Sequence, residues 1–236
     1  YAVSDWLPDS FFLWEPRDVV GGDIYFAERF GEDILIAVMD CTGHGVPGAL
    51  ISMIASSLLS RITVAFGHHD PPEILRQLSS GIRTLLRQDS PDAPSDDGLD
   101  AAVCLVRPKE KMLTFSGANL PLFLVQNREV KYIRGDRQSI GYKRSDPAFD
   151  FTERKIAIES GISFYMSTDG FRDQMCRDET RRFGFRTFGR KRFAALLGEI
   201  GHLPFERQEK RLVDAFHKHK GEMSRQDDVT VVGFGF

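Results

Sequence analysis

The run Ile34-Leu35-Ile36-Ala37-Val38-Met39 constrains the fold of this chain more than any other. Side chains alternate between the two faces of a strand, and here both faces are apolar. The run therefore reads as a central strand covered on both sides. It is reached from Ile24-Tyr25-Phe26-Ala27 through the turn Phe30-Gly31-Glu32-Asp33. It ends at Asp40, where a charge is costly unless something compensates it.

The rest of the chain supplies the covering layers. Pro47 opens an apolar stretch that continues to Phe66, too long for a strand, and the expectation is a buried helix with Pro47 in its first turn. Asp70-Pro71-Pro72-Glu73 starts a second helix, in which Ile74, Leu75, Leu78, Ile82, Leu85 and Leu86 recur at helical spacing. Residues 89 to 98 read as an exposed loop. A short apolar run at 11–14 reads as a strand, and strands at hairpin spacing follow the loop at 101–106, 112–116, 120–125 and 130–133. Further strands are expected at 149–158, 162–166 and 229–236, and helices at 193–200 and 205–216. Residues 171 to 190 read as irregular and charged. Antiparallel hairpins with helices in pairs indicate α+β layers.

With 236 residues, 42% hydrophobic and 28% charged, the chain has enough material for a sizeable core. No linker divides it, so 1–236 reads as one domain. A net charge of -3 offers no general attraction for nucleic acid. Arg181-Arg182 and Arg190-Lys191-Arg192 read as solvated surface. Three scattered cysteines, Cys41, Cys104 and Cys176, argue against a disulfide scaffold or a thiolate zinc site and fit a reducing compartment. No apolar run is expected to reach the ~20 residues that span a bilayer. The start at Tyr1, without methionine, reads as a piece of something longer.

Five short acidic motifs sit at the ends of apolar runs: Gly21-Gly22-Asp23, Met39-Asp40-Cys41-Thr42-Gly43-His44-Gly45, Asp97-Gly98-Leu99-Asp100, Ser167-Thr168-Asp169-Gly170-Phe171-Arg172-Asp173-Gln174, and Gln226-Asp227-Asp228-Val229-Thr230. A carboxylate beside glycines at a strand end suits a hard cation, because glycine lets backbone approach a ligand closely. All the candidate ligands are oxygen donors, which favours magnesium or manganese over zinc or copper. Any one motif also reads as an Asp-Gly turn or a helix cap, and spacing leaves open whether they converge.

These motifs have company in order along the chain. With Gly117-Ala118-Asn119-Leu120-Pro121-Leu122 and Gly135-Asp136-Arg137-Gln138-Ser139-Ile140-Gly141, the set resembles the PPM family of metal-dependent serine/threonine protein phosphatases, in its bacterial SpoIIE/RsbU-like branch. The resemblance covers residues 15 to 236. It implies an αββα sandwich, two central antiparallel sheets flanked by helix pairs, with two manganese or magnesium ions between the sheets. It implies that Asp40 bridges both ions, that Asp23 and the backbone carbonyl of Cys41 serve one, and that Asp169 and Asp227 serve the other. Asp228 stands where the family usually has Asn and is kept as a candidate. Asp173 resembles a position that holds a third ion in some members; the other acid for that ion falls near Asn119, a departure that leaves Asp100 as an alternative. The family's phosphate-contacting arginine is matched only by Arg17, one residue out of step.

The resemblance further implies hydrolysis of a phosphoserine or phosphothreonine on a STAS-domain-like protein, an anti-sigma antagonist or its relative. His44 is a candidate to protonate the leaving oxygen, since imidazole titrates near neutral pH. Residues 171 to 190 fall at the family's variable flap and are the expected docking surface. In this branch an upstream sensor module commonly acts through the helix that here starts near Pro47. The expectation is a cytoplasmic domain forming the C-terminal part of a longer protein, with inner-membrane anchoring and a homodimer left open. Three other readings compete: a catalytically weak or inactive binding module with the same fold, a thiol hydrolase using Cys41 and His44, and histidine metal sites at His68-His69 or His217-Lys218-His219. Retention of Asp23, Asp40, Asp169 and Asp227 opposes the first. A buried setting, which raises a thiol pKa, opposes the second. Solvation explains the histidines more simply.

Overall fold

The structure, a computed structural model, describes residues 3–67, 69–90, 92–180 and 184–236. Arg181, Arg182 and His68 lie outside them. Two five-stranded antiparallel sheets form the centre. One has the order β2 (Asp23–Phe30), β3 (Asp33–Cys41), β4 (Leu99–Arg107), β5 (Met112–Ala118), β8 (Arg154–Ala157). The other has the order β1 (Ser10–Glu15), β12 (Val229–Gly235), β9 (Ser163–Ser167), β6 (Leu122–Gln126), β7 (Glu129–Ile133).

Each sheet buries both faces, and the period of two sorts the side chains. Ile34, Ile36 and Val38 of β3 meet Phe164, Met166, Val232 and Phe234 of the second sheet between the layers. Leu35, Ala37 and Met39 face outward onto helices α1 (Gly45–Ser60) and α2 (Pro71–Leu85). On the far side Phe123, Tyr165 and Val231 pack on α4 (Arg190–Ile200) and α5 (Phe205–Lys220). The architecture is αββα, as the resemblance implies, and it agrees with the α+β layers read from the doubly apolar strand and the hairpin spacings. Asp70 caps α2 by accepting from the amide of Glu73, with prolines in the first turn.

Four details depart from the sequence reading. The first helix is not wholly buried: Ile51, Ser52, Ala55 and Leu59 face the sheet, while Val46, Leu50 and Met53 are exposed. Together with the π-helical turn Arg61–Ala65, it makes a continuous Gly45–Ala65 helix of 21 residues that is long and apolar enough, by length and composition, to cross a membrane. That corrects the expectation of no such run, although one face of this helix packs on β3. The strand expected over 149–158 shrinks to β8, because the Thr152 amide and hydroxyl bind the Asp136 carboxylate at 2.7 and 2.8 Å and hold that residue off the ladder. Residues 171 to 190 contain order: a single turn, α3 (Gly170–Asp173), and the hairpin of β10 (Met175–Arg177) with β11 (Phe185–Thr187).

Candidate active site

Antiparallel register gathers the first acids. Asp23 lies opposite Asp40, and Asp40 lies opposite Asp100, so three adjacent strands carry an acid in one row. Directly paired residues share a face, and the alternation from Val38 and Ala102, both in the inter-sheet core, turns this row into the gap between the sheets. On the second sheet the same alternation from Met166 and Val232 brings Thr168, Thr230 and Asp228 to the same gap. Asp169 and Asp227 stand just outside the ends of β9 and β12.

Hydrogen bonds join the two sheets there. The Thr168 hydroxyl donates to Asp23 Oδ2 at 2.6 Å and accepts from the Thr230 amide at 3.0 Å. Asp228 is committed to backbone: Oδ1 accepts from the Arg17 amide at 2.6 Å and Oδ2 from the Gly22 amide at 2.7 Å. This clamp fixes residues 17 to 22 against the end of β12. Gly22 has to be glycine, because a Cβ would lie 2.4 Å from the Gly43 carbonyl oxygen and 2.8 Å from that of Cys41. The Cys41 carbonyl is thus turned toward the backbone that leads into Asp23. Gly170 is equally confined, since its Cβ would meet the Asp228 carbonyl oxygen at 1.9 Å and Asp227 Cβ at 3.4 Å. That close approach seats Asp169 beside Asp227.

The electrostatics agree that the acids are neighbours. Burial, with Asp228 and Asp227 adding to it, pushes Asp23 up to about 7 despite the Thr168 hydrogen bond. Burial and then the charges of Asp23, Asp169, Asp100 and Asp227 hold Asp40 well above the usual carboxylate range. Burial, Asp173 and Asp227 raise Asp169 to about 6, with Arg172 partly offsetting them. Carboxylates so crowded, with little cationic relief from the chain, are an oxygen donor set that a hard divalent ion fits. Among the described residues, no group of three His, Cys, Asp or Glu side chains is drawn tightly enough to clasp an ion as it stands.

The remaining candidates sit at the rim. Asp173 is exposed, four residues beyond Asp169 on α3. His44, at the start of α1, is exposed and pairs through Nδ1 with Asp18 Oδ2 at 3.0 Å. Arg17 is exposed, and its Nη1 donates to the Gln226 carbonyl at 3.0 Å. The Cys41 thiol is buried, and burial beside Asp40 raises its pKa well above the ordinary value, which disfavours a thiolate nucleophile. The histidines of the alternative metal sites have local partners: His69 stacks on Phe30 at 4.0 Å and bonds the Thr63 carbonyl, and His219 bonds the Gln174 carbonyl.

Two residues gain a firmer place at this site than the sequence gives them. Asp100 enters by register and is held at 2.9 Å by the side-chain amide of Asn119, which also donates to Ser139. Thr168 is only a motif neighbour of Asp169 in the sequence, and its bond to Asp23 crosses between sheets that no local pattern relates. A cleft of about 820 Å³ lined by Asp9, Arg128, His202 and Phe205 opens at the other end of β9 and β12, away from every acid named above.

Comparisons with known proteins place the chain by family and fold. The family described as stage II sporulation protein E (SpoIIE) matches residues 31–236. The SiaA-PP2C domain of Pseudomonas aeruginosa is 34% identical, with a TM-score of 0.87 over 99% of this chain and 89% of that one. The PP2C phosphatase domain of SpoIIE from Bacillus subtilis, solved with a fragment of its regulatory domain, shares the fold at 17% identity and a TM-score of 0.73, over 97% of this chain and 63% of that one. RsbX, solved in complex with magnesium, shares it at 15% identity and a TM-score of 0.63, over 96% and 94%. Comparison with curated protein sequences gave no match. Matched along most of its length and folded throughout like these relatives, the chain belongs to the SpoIIE family and is a PPM-type phosphatase domain.

Proposed function

We propose that this chain is a metal-dependent protein serine/threonine phosphatase that removes phosphate from a STAS-domain-like regulatory protein. The observation that carries the reading is the crowding of Asp23, Asp40, Asp169 and Asp227 at one end of the inter-sheet gap, where burial and neighbouring acids raise the carboxyl pKa of Asp23, Asp40 and Asp169 above the usual range. Asp40 lies between Asp23 and Asp100 in the row, which suits it to bridge two ions. Asp23 and the Cys41 carbonyl would complete one position, and Asp169 with Asp227 the other. Asp173 and Asp100 flank Asp169 and are the donors for a third ion. Asp228 acts instead as the backbone clamp described above. Bound there, manganese or magnesium supplies the Lewis acidity that activates water and offsets phosphoryl charge; magnesium in RsbX supports that choice.

The chain's own groups do the rest. The Thr168 hydroxyl orients Asp23. His44, held by Asp18 through Nδ1, keeps Nε2 to deliver a proton to the leaving serine or threonine oxygen. Arg17 lies at the rim, and the β10–β11 hairpin offers the surface for a protein substrate. We also read the chain as the C-terminal phosphatase of a longer sensor protein, cytoplasmic and open to anchoring at the inner membrane, with the exposed apolar face of α1 as the place where an upstream module acts. The test is direct. Hydrolysis of p-nitrophenyl phosphate and of a phosphoserine peptide should require manganese and stop with EDTA. Undiminished turnover after thorough chelation would refute the metal mechanism. Dephosphorylation of STAS proteins encoded beside this gene tests the substrate class.

A further inference from the structure

Arg172 is an arginine with unspent donors at the mouth of the acidic site. It lies three residues after Asp169 on α3, a spacing that puts both side chains on one side of a helical turn. A guanidinium carries five N–H donors. In Arg172 only Nη2 finds an acceptor, the Thr168 carbonyl at 3.5 Å, which is the outer limit of a hydrogen bond. Its Nε is sealed from solvent without a partner. It forms no ion pair with a described carboxylate. A buried N–H without an acceptor costs stability, and such a group in a native fold calls for an explanation.

The neighbouring arginines are already engaged. Arg17 bonds the Gln226 carbonyl at 3.0 Å. Arg225 bonds the Pro16 carbonyl at 2.8 Å and pairs with Glu15. Arg172 is also braced through its backbone, whose carbonyl accepts from the Gly189 amide at 2.7 Å. Its position is therefore fixed from both ends of the 174–189 segment, while its head group keeps free donors beside the acids.

We propose that Arg172 grips the phosphoryl oxygens of the substrate, the contact for which Arg17 is the candidate by sequence. The planar fork of arginine matches two phosphoryl oxygens at once. The proposal rests on the phosphatase reading above and names the residue that recognises the phosphate.

The test is calorimetric titration of inorganic phosphate into the manganese-loaded protein, its Arg172→Ala and Arg172→Lys variants, and an Arg17→Ala control. The expected result is a loss of phosphate affinity of about tenfold or more in Arg172→Ala, a smaller loss in Arg172→Lys, and little change in Arg17→Ala. In steady-state assays the alanine variant should show raised KM and a raised phosphate inhibition constant. Wild-type phosphate affinity retained by both Arg172 variants overturns the proposal, as does a manganese requirement that moves while phosphate binding does not. Should Arg172→Ala fail to fold, judged by thermal melting, the lysine variant decides. If the wild-type protein binds phosphate through Arg172 but hydrolyses nothing, the proposal stands and the catalytic reading fails; no phosphate binding by the wild type overturns it.

Discussion

The two sheets bring their acids to the site by different means. β2, β3 and β4 carry Asp23, Asp40 and Asp100 within or at the edge of a hydrogen-bonded ladder. The other sheet offers Asp169 and Asp227 from backbone that has just left its strands. Ladder positions are rigid, so the first set cannot spread to relieve its repulsion, and Asp40 feels four other acids. The second set sits on a single helical turn and a strand entry, outside any ladder, and Asp169, less deeply buried and partly offset by Arg172, rises only to about 6. The difference suggests a fixed half and an adjustable half. The rigid strands define where charge must be neutralised, and the looser segments close on whatever neutralises it.

The largest effect should come from the rigid half. Asp40→Asn should reduce manganese-dependent turnover by about a thousandfold. The same variant should melt at a higher temperature than wild type in EDTA, because it removes a buried charge from a repelling row. A lower melting temperature in EDTA would break the comparison. Asp169→Asn should also abolish most turnover, with a smaller gain in metal-free stability.

The crossing between halves is the next target. Thr168→Val removes the hydroxyl that links Asp23 to the second sheet and should cost about 1.5–3 kcal/mol in a urea titration. A change near zero would mean that the two halves are not coupled through that bond.

Titration gives a third probe. Asp23 and Asp169 have folded pKa values raised to about 7 and about 6, above their unfolded values. The folded state therefore binds more protons than the unfolded chain between about pH 4 and 7. Their contribution to stability is present at the acid end of that window and lost as pH rises through the folded values. Melting temperature in EDTA should fall across it, and saturating manganese should reverse the slope, because ligation needs the carboxylates ionised. The smallest effect is expected at Cys41→Ser, which leaves the backbone carbonyl in place and should retain most activity with manganese.

Part of this arrangement is legible in the amino-acid order alone. The turn Phe30-Gly31-Glu32-Asp33 joins β2 to β3 directly, and with Phe30 opposite Asp33 the ladder carries Asp23 to Asp40. No such count places Asp100. Residues 42 to 98, with two helices among them, separate β3 from β4, so nothing local sets that register and Asp100 stands in the sequence only as part of a motif. The exposed face of α1 escapes a sequence reading for a related reason. Its apolar residues cover more than one face, and composition cannot tell which face meets the sheet. Asp228 shows the limit of motif matching: beside Asp227 in sequence, it turns into the inter-sheet gap and is occupied by two backbone amides.

Gly48 carries a consequence of its own. A Cβ there would lie 2.2 Å from the Gly43 carbonyl oxygen and 3.0 Å from Gly22 Cα, so α1 rests on those two loops backbone to backbone. Side chains are the springs of a protein interior, and at Gly48 the nearest neighbours are all backbone; one turn on, the Ser52 hydroxyl donates to the Gly21 carbonyl at 3.4 Å. A displacement applied to the helix by way of Val46, Leu50 or Met53 would reach the carbonyls of residues 41 to 43 with almost no slack, much as a crank moves the shaft to which it is keyed.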